Sequence, residues 1–155
     1  MVDCQLTPGV WRHHIYLRTR LMAAHGFDWI DYYNLARNLA GRADEASRRS
    51  AISRAYYYVY HLALARAVSN GFQIRAGEGS HSQLWRNYSG SPDFDCKRLA
   101  IIANRLKEKR ERADYEKSYP RVDEEVDELI NDAQKFANTL GTLPLRFPNP
   151  AHVRQ

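Results

Sequence analysis

The sequence predicts an all-α protein, an up-and-down bundle of four to five helices with an extra helix at its N-terminus. Apolar residues recur at three- and four-residue steps through several long segments, which is typical of helices with one buried face. Glycine and proline fall mainly between these segments, where helices end. No segment alternates polar and apolar residues for long enough to predict a strand. A chain of 155 residues can bury one hydrophobic core.

The pattern divides the chain into three parts. Residues 1–26 are predicted as a helical arm, with Pro8 in the first turn of its helix and Gly26 at its end. Residues 27–141 are predicted as the bundle. Residues 142–155 contain several prolines and are predicted as an extended or disordered tail.

Within the bundle, one predicted helix differs from the rest because it is apolar on most sides. That helix spans residues 44–70, and such a helix belongs at the centre of a bundle. Ser80 followed by Gln83 predicts a capping box at the start of a short helix. The predicted helices of the bundle are 27–40, 44–70, 80–88, 93–115 and 122–141.

Charge and cysteine content limit the environment and the classes of function. Lys and Arg outnumber Asp and Glu by 23 to 18, an excess that attracts polyanions without showing that any is bound. Cys4 and Cys96 are the only cysteines and have no zinc-site spacing, so we expect reduced thiols, no metal and no cofactor. No apolar run is long enough to cross a membrane, and the N-terminus lacks a secretory profile. A cytoplasmic protein without a membrane partner is therefore predicted.

Three segments together resemble the HEPN family (higher eukaryotes and prokaryotes nucleotide-binding domain). The central segment 51–63, AISRAYYYVYHLA, is similar to the family's SRAYYA…H.A signature. The segment 112–115, RADY, resembles the R..ADY element, and 80–85, SHSQLW, resembles the short helix that lies between them. The resemblance covers about Phe27 to Leu140, in the family's order and approximate spacing.

The resemblance implies a four- or five-helix bundle that commonly forms a homodimer. In family members that cleave RNA, an Arg is followed after four to six residues by a catalytic His. This chain departs from that motif, because Ser118 follows Arg112 after five intervening residues and Glu116 follows Arg110 after five, where the motif has His. Ribonuclease activity is therefore not carried over to this chain by the resemblance.

A metal-independent ribonuclease still needs a group that moves a proton and a cation that stabilises charge on the phosphate. The residues available for these roles are Arg112, with His81 or His61 brought to it by the fold. The alternative is that each histidine makes only a structural hydrogen bond. The sequence leaves both interpretations open.

The residues of the family-like motifs also predict a polar network. Arg54, Tyr57 and His61 project from one side of the central helix. Pairing of Arg54 with Asp114, next to Tyr115, would satisfy a buried charge, and we favour this structural interpretation over a ligand pocket.

A basic stripe on the helix 93–115 is the predicted phosphate-binding surface. Its members fall seven, four and three residues apart, which places them on one side of a helix. They are Arg98, Arg105, Lys109 and Arg112. A solvated helix face, or contact with an acidic partner such as the helix 122–141, is the alternative.

The leading hypothesis is a dimeric HEPN-domain protein, an RNA- or nucleotide-associated binding or regulatory module of a toxin–antitoxin or defence-type system. One alternative is a divergent metal-independent ribonuclease that uses Arg112. Another is the substrate-positioning partner of a small nucleotidyltransferase. The expected partners are accordingly a second copy, RNA or a nucleotide, and a nucleotidyltransferase or antitoxin.

Overall fold

Five α-helices follow one another in the computed structural model, which describes residues 26–149. They are α1 (Ile30–Ala40), α2 (Glu45–Ser69), α3 (Ser80–Ser89), α4 (Phe94–Tyr115) and α5 (Val122–Thr142). No strand occurs within these residues, and the predicted all-α bundle is confirmed. The predicted N-terminal arm lies outside the described residues.

Helix α2 is the centre of the bundle, as its apolar circumference predicts. It packs against all four other helices. Ala51, Ile52, Ala55 and Val59 are fully buried along it, and small side chains such as alanine allow neighbouring helices to approach closely. The remaining helices bury one face each against α2 or against one another.

The helix ends follow from local chemistry. Asp44 caps α2 by accepting a hydrogen bond from the backbone N–H of Ser47 at 2.8 Å, and Asp93 caps α4 through the N–H of Cys96 at 3.0 Å. Gly71 ends α2 with a φ of 90°, which a residue without Cβ adopts readily.

The predicted capping box at the start of α3 is wrong. The residue before the helix is Gly79, and no side chain caps it. Instead the Gln83 side chain accepts from the N–H of Arg75 at 2.8 Å and donates to the carbonyl oxygens of Arg75 and Glu78. Gln83 is buried, so its amide holds the loop before α3 rather than the first turn of the helix.

The start of the predicted tail is part of the packed structure. Helix α5 extends to Thr142, and residues 143–149 contain no helix but lie on the bundle. Phe147 is buried, and Asn70 donates a hydrogen bond to the carbonyl oxygen of Pro148 at 3.2 Å. The sequence predicts an extended or disordered segment here because prolines prevent a helix, but they do not prevent packing.

None of the five helices described between residues 26 and 149 combines the length and the apolar character that a transmembrane span requires.

Candidate functional site

A cluster of histidine, tyrosine and arginine side chains occupies the junction of α2, α3 and α4. Helix α2 contributes Tyr56, Tyr57, Tyr60 and His61, which lie on two successive turns because residues four apart are neighbours on a helix. Tyr56 and Tyr60 are buried, whereas Tyr57 and His61 are half-buried. The cluster thus runs from the core to the surface.

Helix α3 places His81 on this cluster. The Nδ1 atom of His81 lies 2.6 Å from the hydroxyl oxygen of Tyr56, and its ring centroid lies 4.1 Å from that of Tyr60. Burial raises the pKa of Tyr56, so its hydroxyl keeps its proton. Trp85 donates to the same hydroxyl oxygen at 3.2 Å, which leaves the tyrosine proton for His81.

This hydrogen bond assigns the tautomer of His81. When Nδ1 accepts from Tyr56, a neutral imidazole carries its proton on Nε2. Burial lowers the pKa of His81, and the positive charges of Arg110 and Lys107 lower it further. At neutral pH, His81 is therefore an uncharged ring with an N–H donor that is not used by Tyr56.

His61 is also held in its neutral form. Its ring stacks on Trp29 with a centroid separation of 3.3 Å and an interplanar angle of 6°. The pKa of His61 is lowered to about 4, mainly by burial and to a smaller extent by the positive charge of a protonated His81. Two neutral imidazoles therefore lie against the Tyr60 ring, with centroid separations of 5.1 Å for His61 and 4.1 Å for His81.

Helix α4 adds a cation, Arg110. Its guanidinium donates to the Tyr57 hydroxyl and lies 5.0 Å from the centre of the Tyr57 ring. The Nε atom lies 3.1 Å from a carboxylate oxygen of Asp114, without the alignment of a hydrogen bond, and has no other partner among the described residues. A buried donor is therefore left with unused hydrogen-bonding capacity.

The predicted Arg54–Asp114 pair is wrong. Arg54 lies over the rings of Tyr32 and Tyr57, 4.9 and 5.6 Å from their centres. Asp114 instead pairs with Arg110 and accepts from the hydroxyl of Ser53 at 3.2 Å. The last turn of α4 lies beside Ser53 of α2. Arg54, the next residue along α2, points in another direction and reaches α1 instead.

Tyr115 of the family-like motif lies at the rim of this network. Its ring is 75% exposed, and the Arg110 guanidinium lies 5.6 Å from its centre. Arg54, Tyr57 and His61 share one side of α2, as their spacing predicts. Asp114 and Tyr115 join them only through Arg110.

The predicted basic stripe faces acids of its own chain. Arg105 pairs with Glu128 at 2.7 Å and with Asp132 at 2.8 Å, and Lys109 pairs with Glu125 at 2.8 Å. All three acids belong to α5. At the centre of the stripe, therefore, the alternative interpretation holds: its basic residues contact the acidic helix α5.

The ends of the stripe are paired within α4 or just beyond it. Arg98 lies 3.4 Å from Asp95, and Arg112 lies 3.1 Å from Glu116. Arg112 also lies over the ring of Tyr119, 5.1 Å from its centre. The structure does not place Arg112 in the cluster that contains His61 and His81.

Arg110 is the residue of the cluster that sequence reasoning missed. The spacing of the buried residues gives a signal for it. Position 110 fills the one gap in the four- and three-residue steps of the buried series Leu99, Ala103, Leu106 and Ala113. A charged residue at a core position needs partners, which are here Tyr57 and Asp114. Trp29 and Tyr56 were also missed as members of the cluster, because aromatic side chains in helices most often serve only packing.

Within residues 26–149, no group of three or more His, Cys, Asp or Glu side chains is placed to hold a metal ion. The cluster offers neutral imidazole and phenol groups, aromatic faces and one guanidinium. These groups can hydrogen-bond, stack on flat rings and attract an anion.

Comparisons with known protein families, with curated proteins and with solved structures found no match to this chain.

Proposed function

We propose that this chain is a HEPN-type protein that acts as a dimeric RNA- or nucleotide-binding module, of the kind found in toxin–antitoxin or defence-type systems. The family assignment is supported by the sequence motifs of α2, α3 and α4. The binding role is supported by one observation above all, the convergence of His61, His81, Tyr57 and Arg110 from three helices at a half-buried junction.

The chemistry of the cluster suits a nucleotide phosphate. A guanidinium binds phosphate oxygens through charge-assisted hydrogen bonds, and the cluster contains the guanidinium of Arg110. The neutral His81 ring, which contacts Tyr56 and Tyr57, supplies an additional N–H donor to the cluster. Half-buried Tyr57 adds an aromatic ring to the cluster, and the guanidinium groups of Arg54 and Arg110 lie over it.

The basic stripe is the weaker location for phosphate contacts. Arg105 pairs with two carboxylates of α5 and Lys109 is hydrogen-bonded to a third, whereas Arg110 has one carboxylate partner, Asp114, which forms no aligned hydrogen bond with it. We therefore assign the ligand to the cluster, with the stripe holding α4 and α5 together.

Binding is tested by titrating labelled single-stranded RNA and free nucleotides at low salt, where phosphate contacts are strongest. We expect Arg110→Gln to weaken binding by about tenfold or more, the loss of one buried charge-assisted contact. Arg112→Gln is the matched control on the same helix and should change affinity by less than about twofold, because Arg112 is paired outside the cluster. No binding by the wild type, or equal losses in both variants, would contradict the proposal.

A metal-independent ribonuclease is the second candidate, and it is favoured by the position of His81 and Arg110, which both lie against the ring of Tyr56. His81 would move a proton through Nε2, and Arg110 would stabilise charge on the phosphate. In this version Arg110 takes the role that the sequence suggests for Arg112.

An RNA digestion in the presence of a chelator tests this activity. Cleavage should disappear in His81→Ala and in Arg110→Ala but persist in Arg112→Ala. Equal background cleavage by all four proteins would eliminate the enzyme and leave the binding module.

A further inference from the structure

Two arginine side chains lie over the ring of Tyr57, and they differ in what offsets their charge. The guanidinium carbon of Arg54 lies 5.6 Å from the ring centre, and that of Arg110 lies 5.0 Å from it. Arg110 has a carboxylate oxygen of Asp114 at 3.1 Å. Arg54 has no ion pair and no hydrogen-bond acceptor among residues 26–149. One carboxylate therefore stands against two positive charges.

Aromatic side chains at the start of α1 hold the Arg54 guanidinium in place. It lies 4.9 Å from the centre of the Tyr32 ring, and Tyr32 packs edge-on against Trp29 with a centroid separation of 5.3 Å. Trp29 in turn stacks on His61 of α2. Arg54 is half-buried, so part of its freedom is already lost before any ligand binds. A positioned cation with unused donors is a ready contact for an anion.

The two guanidinium groups are close enough to contact one ligand. Because both lie over the same ring within the range of a cation–π contact, their central carbons are no more than about 11 Å apart. Like charges at this separation repel each other, and an anion that contacts both relieves the repulsion. Two adjacent phosphates can each accept a charge-assisted hydrogen bond of about 2.8 Å, one from each arginine.

On the basis of the proposed function, in which Arg110 binds one phosphate, we propose that the cluster takes a ligand with two adjacent phosphates and that Arg54 binds the second. Two sources supply this chemistry, a nucleoside diphosphate and successive phosphates of an RNA strand. Arg54 is then the residue that determines how much a second phosphate adds to the affinity.

Calorimetric titration of the full chain at low salt with adenosine mono- and diphosphate tests the nucleotide source. The wild type should bind the diphosphate about tenfold more tightly, the gain from one more charge-assisted contact. Arg54→Gln should abolish this preference and leave monophosphate binding within about twofold of the wild type. Arg110→Gln should weaken both nucleotides. Arg48→Gln is the matched control and should keep the preference, because half-buried Arg48 of α2 pairs with Asp123 outside the cluster.

A second titration uses a dinucleotide, which has one phosphate, and a trinucleotide, which has two. If an RNA strand is the source, the gain that depends on Arg54 appears here and not with the nucleotides. Arg54→Lys keeps the charge and should keep part of the preference in the arm that shows it, whereas a purely structural role for Arg54 would weaken one- and two-phosphate ligands equally.

Three results would overturn the assignment of Arg54 while leaving the role of Arg110 intact. They are equal binding of one- and two-phosphate ligands by the wild type in both arms, a full preference in Arg54→Gln, and equal losses for both kinds of ligand in the Arg54 variants. No binding of any of these ligands by the wild type would instead contradict the proposed function itself.

Discussion

At the scale of single residues, the cluster depends on ionisable groups that are held in defined protonation states. His61 and His81 are kept neutral by burial and by nearby positive charge. Arg110 keeps its charge, because its bond to Tyr57 and the carboxylate of Asp114 outweigh the effect of burial, and its pKa rises. The junction is therefore a set of donors with one permanent cation.

The lowered pKa of His61 predicts a loss of stability in acid. Its pKa falls from an ordinary 6.5 to about 4 in the folded chain, so the unfolded chain binds more protons between these values. The stability that neutral His61 contributes is fully present above its ordinary pKa and is lost as the pH falls towards about 4. Urea unfolding should therefore give a smaller fall between about pH 7 and about pH 5 for His61→Gln than for the wild type. Equal falls would show that His61 is not held neutral by the fold.

Removing the ion pair between Arg110 and Asp114 is predicted to lower the free energy of unfolding measurably, because Arg110 lies on the inner side of α4. Asp114→Asn should lower the free energy of unfolding by about 1–2 kcal/mol, because the mostly buried guanidinium loses its carboxylate. Glu116→Gln breaks the more exposed pair with Arg112 and should cost less than about 0.5 kcal/mol. Chemical denaturation of both variants measures the difference, and equal costs would contradict the inner role of Arg110.

At the scale of helices and loops, the sequence predicts the number, order and approximate bounds of the five helices well. Periodicity and capping residues are local signals, and Asp44, Gly71 and Asp93 act where those signals place them. Gln83 is the exception, because a capping box and a loop-holding amide share the same sequence. Only the path of the loop before α3 decides between them.

The role of Gln83 gives a prediction for this loop. Gln83→Leu should lower the free energy of unfolding by about 1–3 kcal/mol, since three part-buried hydrogen bonds between Gln83 and the backbone of Arg75 and Glu78 are lost. Ser80→Ala should cost less than about 0.5 kcal/mol, because Ser80 caps nothing. If thermal unfolding showed a larger loss of stability for Ser80→Ala than for Gln83→Leu, the capping-box prediction would hold and the loop-holding role of Gln83 would be contradicted.

The packed segment after α5 gives a second prediction at this scale. Phe147→Ala should cost about 2–4 kcal/mol, the loss expected when a buried aromatic ring is removed. Leu145→Ala, two residues earlier and exposed, should be nearly neutral. Similar small effects in urea unfolding would mean that residues 143–149 do not pack on the bundle.

At the scale of the whole molecule, the sequence predicts the bundle but only part of the candidate site. The spacing along α2 places Arg54, Tyr57 and His61 together, whereas the meeting of His81 with Arg110 depends on how α3 and α4 dock on α2. Long-range docking leaves no local pattern in the chain. For the same reason the sequence leaves open whether the basic stripe binds phosphate or faces acids, and the structure places Arg105 and Lys109 against the acids of α5.

The central claim is that the junction of α2, α3 and α4 binds a phosphate-bearing ligand, and the histidine ring signals in proton NMR test it most directly. His61→Gln and His81→Gln identify the two resonances in the full chain. Addition of nucleotide or short RNA should shift the His81 signal and raise its pKa, because a nearby phosphate favours the protonated ring. The account is contradicted if both resonances stay unchanged at saturating ligand while other signals of the protein move.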